Sequence, residues 1–209
     1  MGLSFRIAGW TAWPAEDSAL PMALRRRASA VGQRALKTAL SLLPPDQTPR
    51  YVLSSRHGEI SRTTGLLTAL AEEGCVSPAE FSMAVHHGLA GLLSIHTGNK
   101  EGHTAVAAGR DSFAYGLIEA ATTVAESGKP VLHLHFDETL PEIYAPVAGD
   151  PDNDTILALL LDPTAGEAYA LEQTQDCAGT GDLAAGFVEF LRSGARTGGA
   201  GSWRWFRDD

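Results

Sequence analysis

Cysteine, basic residues and long apolar runs are scarce in this 209-residue chain, and each scarcity excludes a class of protein. The two cysteines, Cys75 and Cys177, are too few for a disulfide framework, and neither belongs to a CxxC pair. No apolar run approaches the roughly 20 residues that a membrane-spanning helix needs. The formal net charge of −9 argues against a nucleic-acid partner, because such a protein must neutralise phosphates with lysine and arginine.

Several motifs are missing as well. There is no Walker loop, no GxGxxG after a strand and no GxSxG elbow, so no motif predicts a bound cofactor. The first residues lack the basic segment and apolar core of a secretory signal, and we therefore expect the protein in the cytoplasm. The length and an ordinary hydrophobic share predict one domain over residues 1–209. We place its core at about 50–175 and a C-terminal helix with an aromatic tail at 182–209.

The stretch from residue 104 to residue 138 is the most informative part of the chain. A β-prone segment at 104–108 leads into a tight turn, a helix follows at 111–127, and an apolar strand comes at 131–136. This order is typical of a parallel sheet. In many enzymes such a turn presents a nucleophile at the start of the helix. The turn here instead carries Val106, Ala107, Ala108 and Gly109.

The rest of the chain also alternates between strand-like and helix-like segments. We predict strands at 3–13 and 51–54, helices at 31–43, 60–73, 78–96 and 182–192, and a hairpin formed by 156–161 and 167–171. This alternation predicts an α/β fold. The tail residues Trp203, Trp205 and Phe206 are too apolar for a free tail, so we expect them to dock on the domain or on a partner.

Two histidines and an aspartate alternate along one predicted strand. His133, His135 and Asp137 would share a face, because alternate residues of a strand point the same way. Two imidazoles and a carboxylate could hold a zinc or iron ion, which would make the protein a small metal-dependent hydrolase. The alternative is a half-exposed strand whose polar positions meet solvent.

Basic residues are concentrated in one segment near the N-terminus. Arg25, Arg26 and Arg27 are consecutive, and Arg34 and Lys37 follow. A solvated helix face explains such a cluster. The alternative is a patch for an acidic partner, because local potential matters more than net charge.

Four stretches, in this order, resemble the N-terminal half of a β-ketoacyl synthase, an enzyme with a thiolase-like fold. They are the SSRHG turn at 54–58, the SPAEFSMAVHH segment at 77–87, the NKEGHTAVAAG segment at 99–109, and the helix at 111–127 together with the strand that leads into Asp137-Glu138. Together they cover about residues 50–140. The resemblance implies a three-layer α/β/α half-domain with a mixed, mainly parallel central sheet.

The resemblance also implies the loss of catalysis. In that family a cysteine in the turn takes the acyl chain as a thioester; the corresponding position is Val106 or Ala107, and neither can form a covalent adduct. The family's two decarboxylating histidines belong to a C-terminal half that would begin near the end of this sequence. The resemblance therefore implies an inactive scaffold or accessory subunit in fatty-acid or polyketide-type synthesis, for example of aryl polyenes. The alternative is a chain-length-factor-like partner of an active ketosynthase.

The same resemblance implies the partners. Synthases of this family dimerise through the strand before the active turn, which corresponds to residues 103–108 here. We expect a homodimer or a heterodimer with a catalytic ketosynthase, and neither a metal nor another cofactor. An acyl carrier protein is the next partner that the resemblance implies. Carrier proteins are acidic, so the contact would need the basic residues between Arg25 and Lys37.

Overall fold

The computed structural model describes residues 2–15, 19–44, 47–147, 154–174 and 181–208. Its strands are β1 (Gly2–Ala12), β2 (Arg50–Ser54), β3 (His103–Val106), β4 (Val131–Phe136), β5 (Ile156–Leu161), β6 (Glu167–Gln173), β7 (Thr197–Ala200) and β8 (Trp203–Asp208). Its helices are α1 (Met22–Arg25), α2 (Ala30–Leu42), α3 (Ile60–Glu73), α4 (Pro78–Met83), α5 (Gly88–Thr97), α6 (Ser112–Ser127) and α7 (Leu183–Ser193). Most of the predicted elements are confirmed.

All eight strands form one mixed sheet in the order β3-β2-β4-β5-β1-β6-β8-β7. Strand β2 pairs in parallel with β3 and with β4, as the strand–helix–strand pattern predicts. The other five pairs are antiparallel. The predicted α/β class and its mixed sheet are thus confirmed, with parallel pairing confined to the β3-β2-β4 part.

Helices cover both faces of the sheet and make three layers. Helices α6 and α7 pack on one face, and α2 packs on the other, where α5 in turn packs against α2. Each face has its own cluster of buried apolar residues. Strand β4 is buried along its whole length, because α6 covers the face that carries its histidines. The expectation that this face meets solvent was wrong.

Two predicted elements differ in the structure. Strands β5 and β6 do not form a hairpin, because β1 lies between them and pairs with both. The helix predicted at 78–96 is broken into α4 and α5. At the break the chain turns tightly, and a Cβ atom at Gly88 would lie 2.7 Å from the Met83 carbonyl oxygen.

Helices α3 and α4, with the loop between them, form a surface element that we call the α3–α4 arm (residues 60–83). Helix α3 has the predicted bounds, yet no residue of α3 or α4 is buried. The apolar residues Leu67, Leu70 and Phe81 are each at least half exposed. The arm therefore gains little from hydrophobic burial on the chain itself.

The aromatic tail forms β7 and β8 and packs on the domain. Trp203 and Trp205 are buried, which confirms docking of the tail on the domain itself. The indole Nε1 of Trp203 donates a hydrogen bond to Asp111 Oδ1 at 2.9 Å. Cys75 is exposed, and Cys177 lies outside the described residues. No helix of the described ranges has both the length and the apolar character needed to cross a membrane.

Candidate functional site

The turn after β3 is closed by a serine and carries no nucleophile. Val106 ends β3, and its carbonyl oxygen accepts a hydrogen bond from the backbone N–H of Ser55 at 3.1 Å. Its side chain packs against the core, whereas Ala107 is exposed. The buried hydroxyl of Ser112 accepts from the Ala108 N–H and donates to the carbonyl of Gly109. Both of these hydrogen bonds lie within the turn, so the hydroxyl serves to hold the turn together.

A buried polar cluster lies behind this turn, at the carboxyl ends of the parallel strands β2 and β4. The Oγ of Ser54 lies 2.8 Å from Nε2 of His133 and 2.9 Å from Nδ1 of His135. The register of the sheet brings them together, since Ser54 pairs with His135. The Phe113 ring stacks on His133 and meets His135 edge-on. All of these side chains are almost completely buried.

Asp137 continues the cluster towards the turn after β2. Its Oδ2 lies 3.4 Å from Nε2 of His135, and its Oδ1 accepts from Ser55 Oγ and from the Arg56 N–H. Burial acts to raise the pKa of Asp137, but these hydrogen bonds and the nearby imidazole outweigh it, so the pKa is lowered. The Asp137 side chain is therefore an ionised acceptor at neutral pH.

The cluster contains the residue types of a Ser-His-Asp triad but is closed to substrate. Ser54 is only 1% exposed, and α6 approaches it at Gly116, where a Cβ atom would lie 2.5 Å from Ser54 Cβ. The pKa of His133 is lowered to about 3 by burial and by His135, so its ring stays neutral. A triad nucleophile must reach a substrate carbonyl, and among the described residues the burial of Ser54 beneath α6 prevents this.

The predicted metal ligands do share a face, but their arrangement gives no support to a metal site. The Ser54 hydroxyl lies between the two imidazoles, and Asp137 is engaged by the β2–α3 turn. Across the ranges that the structure describes, no group of three or more His, Cys, Asp or Glu side chains could hold a metal ion. Ser54 was not predicted as a member of this cluster; its available signal was a hydroxyl at the end of a buried strand.

The predicted basic residues divide into two groups. Arg34 forms an ion pair with Asp154 at 3.1 Å. The guanidinium groups of Arg25, Arg26 and Arg27 have no hydrogen-bond or ion-pair partner among the described residues. A pocket of about 820 Å³ opens beside the last two and is also lined by apolar side chains of the α3–α4 arm. Lys37 also has an interaction partner, so within the described part of this basic set the first three arginines remain available to an anion.

Strand β3 is one end of the sheet, and its outer side pairs with no strand of the described part. The backbone N–H groups of Tyr51 and Ser55 bond to the carbonyls of Gly102 and Val106. In a parallel pair, hydrogen bonding alternates along the strand, so the backbone groups of Ala105 point away from β2. The β3 edge therefore offers unpaired backbone donors and acceptors.

Comparison with known proteins now identifies the family. The sequence profile of the family described as β-ketoacyl synthase, N-terminal domain, matches residues 9–189. The chain belongs to this family. The resemblance seen in the sequence is thereby confirmed over a longer stretch than the four segments covered, and it includes the turn that lacks a nucleophile. None of the curated proteins matches the chain.

Solved structures of this family share the fold. One is a chain in the complex of the ketosynthase ApeO with its chain length factor ApeC from Xenorhabdus doucetiae: 28% identity, TM-score 0.83, covering 98% of this chain and 100% of that one. The ishigamide ketosynthase/chain length factor is 18% identical with a TM-score of 0.60, and the match covers 82% of this chain and 56% of that one. A chain in the complex of a type II polyketide acyl-carrier protein with its ketosynthase is 15% identical with a TM-score of 0.55, and the match covers 68% of this chain and 49% of that one. The chain thus spans about half the length of the last two.

Proposed function

We propose that this protein is a non-condensing accessory partner of a β-ketoacyl synthase, of the chain-length-factor type. The observation that carries the proposal is the turn after β3. It stands where the family resemblance expects the acyl-accepting cysteine, and it presents Val106 and Ala107 instead. The nearby Ser54 and Ser112 hydroxyls are buried and hydrogen-bonded, so neither replaces the missing sulfur.

The similarity to the ApeO–ApeC complex supports the accessory role. That likeness extends over the whole of the matched chain at 28% identity, and the complex contains a ketosynthase with its chain length factor. We extend this pairing to the present chain, with synthesis of a fatty-acid-like or polyketide chain, such as an aryl polyene, as the setting. We further propose that residues 1–209 form one domain, because the eight strands belong to one sheet.

The open edge of β3 is the surface that we assign to the ketosynthase. Its unpaired backbone groups can extend the partner's sheet, and this is the strand through which the family resemblance implies dimers. The opposite edge of the sheet is β7, where two glycines lie against side chains of β8. The Trp205 indole occupies the space where a Cβ atom of Gly198 would lie, and the Arg204 side chain lies over Gly199.

Co-expression with the cysteine-bearing β-ketoacyl synthases of its host tests the proposal. We expect one of them to co-purify as a 1:1 complex, measured by light scattering, and the length of its acyl product to change when the partner is omitted. Ala105→Pro should abolish the complex while the chain stays folded, because this N–H points outwards and proline is tolerated there. Thr197→Pro, on the opposite edge, is the matched control.

Failure of every synthase to associate would refute the accessory role. A stable homodimer that persists in the presence of the synthases would instead favour a self-contained scaffold. Radiolabelled acyl or malonyl groups found covalently attached to this chain would contradict the loss of catalysis. These three outcomes are distinguishable in the same preparation.

An acyl carrier protein is the second partner that we propose, at Arg25, Arg26 and Arg27. Their unpaired guanidinium groups are exposed on a chain of net charge −9, so they form a local positive patch. Charge reversal of all three to glutamate should weaken carrier binding and remove its salt dependence, as measured by titration at two ionic strengths. Arg34→Glu is the control, because Arg34 is already paired with Asp154.

A further inference from the structure

The hydrogen bonds between β4 and the turn after β2 have a direction, and Asp137 sets it. Its ionised carboxylate can only accept, and Oδ1 already takes the Ser55 hydroxyl and the Arg56 N–H. Nε2 of His135 faces Oδ2, so in a ring with a single proton that proton lies on Nε2. Its Nδ1 is then bare and must accept the proton of Ser54 Oγ at 2.9 Å.

The direction of the Ser54 hydrogen bond also sets the position of the proton on His133. The Ser54 hydroxyl has one proton, and once this is donated to His135 the oxygen must accept from Nε2 of His133 at 2.8 Å. The Nδ1 of His133 is then bare. An independent observation agrees, because this buried Nδ1 has no hydrogen-bond partner within the described residues. An unpartnered buried N–H would be the rarer and costlier arrangement.

We propose that His133, Ser54, His135 and Asp137 form one proton-ordered chain that positions the turn at residues 55–58 and, through it, the α3–α4 arm. These four are positioning residues, since the cluster is closed to any substrate. The inference concerns the isolated chain and therefore does not depend on the proposed partnership.

The Asp137 end of the proton-ordered chain is coupled to the α3–α4 arm by polar contacts. Ser55 Oγ, which donates to Asp137, also accepts from the Gly58 N–H at 2.7 Å. Next to Asp137, the Glu138 carboxylate accepts from the N–H and the hydroxyl of Ser61 in the first turn of α3. Because no apolar side chain of α3 or α4 is buried, polar contacts of this kind determine how the arm sits on the domain.

Further contacts secure the arm on its other side. Arg62 donates to the Arg27 carbonyl at 2.7 Å and also pairs with Glu80 of α4. The buried Glu59, just before α3, accepts from the Ser29 N–H at 3.0 Å. These contacts tie the arm to the start of α2, whereas the proton-ordered chain ties it to the sheet. Loss of the proton-ordered chain should therefore loosen the arm without detaching it.

The wild-type protein provides the first test. Two-bond ¹H–¹⁵N spectra of the imidazoles distinguish bare from protonated nitrogens. At pH 7 we expect Nε2 to be protonated and Nδ1 to be bare in both His133 and His135. A proton on Nδ1 of either ring, or a doubly protonated His135, would overturn the proposed order.

Asp137→Asn provides a second test at a distance. The amide oxygen still accepts from Ser55 and Arg56, but its NH₂ group now faces Nε2 of His135 and requires a bare nitrogen there. The proton of His135 should then move to Nδ1, the Ser54 hydroxyl should reverse, and the proton of His133 should move to Nδ1. Unchanged tautomers of both histidines in a folded Asp137→Asn protein would refute the coupling.

Hydrogen exchange tests the positioning role. Ser54→Ala removes the central link, and we expect amides of residues 55–61 to exchange about tenfold faster relative to those of β4 and β5. Thr38→Val is the control, because it removes a buried hydroxyl that bonds only within α2. It should leave that ratio unchanged. Equal acceleration throughout the Ser54→Ala protein, or none in the turn, would contradict positioning.

Discussion

The carboxyl ends of β2 and β4 and the α3–α4 arm adjoin each other but are held in different ways. At the strand ends, a serine and two histidines are buried under Phe113 and α6. In the arm, leucines and a phenylalanine face solvent, and carboxylate and arginine contacts secure the base. The polar residues are inside and the apolar ones outside, contrary to the usual distribution. A packed helix excludes water from the first region, whereas the apolar side chains of the second remain in contact with solvent.

Two glycines on helices, Gly116 beside the buried strand ends and Gly65 in the arm, should respond to the same substitution in opposite ways. Gly116→Ala should destabilise the fold by about 2 to 3 kcal/mol, because the new methyl group would lie 2.5 Å from Ser54 Cβ and 2.6 Å from His133 Nε2. Gly65→Ala in α3 should instead stabilise it by about 0.5 to 1 kcal/mol, since nothing beyond its chain neighbours and the helix's own backbone lies within 4 Å of the new Cβ. Denaturant unfolding measures both free-energy changes, and a change of the same sign in the two variants would contradict this difference between the regions.

Acid should destabilise the chain mainly through the buried strand ends. The pKa of His133 is about 3 in the fold against 6.5 for an ordinary histidine. Between these values the unfolded chain binds a proton that the folded chain does not. The free energy of unfolding should therefore fall as the pH falls, by about 2 kcal/mol between pH 7 and pH 5.

Asp137 adds to this effect at lower pH. Its lowered pKa stabilises the fold above its ordinary value of 3.8, and this contribution is lost as the pH falls below that value. Urea titrations at several pH values measure the slope. His133→Leu should flatten the slope between pH 7 and pH 5, and an unchanged slope in that variant would assign it to other groups.

The smallest expected effect lies on the exposed face of the arm. Phe81→Ser should change the free energy of unfolding of the isolated chain by less than about 0.5 kcal/mol, because the side chain is 63% exposed. Leu93→Ala, a fully buried control on α5, should cost about 2 to 5 kcal/mol. A large loss in Phe81→Ser would show that the arm packs on the domain more tightly than its exposure indicates.

Elements with local signals could be predicted closely from the sequence. Helix α3 has the predicted bounds, and α6 ends at the predicted Gly128 with a positive φ of 63°. The Ser77-Pro78 signal starts α4 at the predicted residue, with the Ser77 side chain accepting from the Glu80 N–H. The predicted strand pairing failed where segments distant in the chain pair with each other. Strand β1 inserts between β5 and β6, although about 150 residues separate it from either in the chain.

The candidate site was only partly predictable for the same reason. The alternation of His133, His135 and Asp137 is visible in the sequence, but Ser54 is 79 residues from His133 and meets it through the register of β2 on β4. A metal site was a reasonable hypothesis from the alternating residues alone. The structure places the Ser54 hydroxyl between the two imidazoles. This hydroxyl can hydrogen-bond to both rings without any further group, whereas a metal ion would need additional ligands.

Neighbouring residues alone set the caps and turns, the strand–helix–strand unit and the side chains at the turn after β3, and composition alone sets the excess of acidic residues. Tertiary structure decided which face of β4 is covered, what the histidines bond to and which sheet edge stays open. Those properties depend on strand register and on the close approach of α6 at Gly116, where residues far apart in the chain exclude water together.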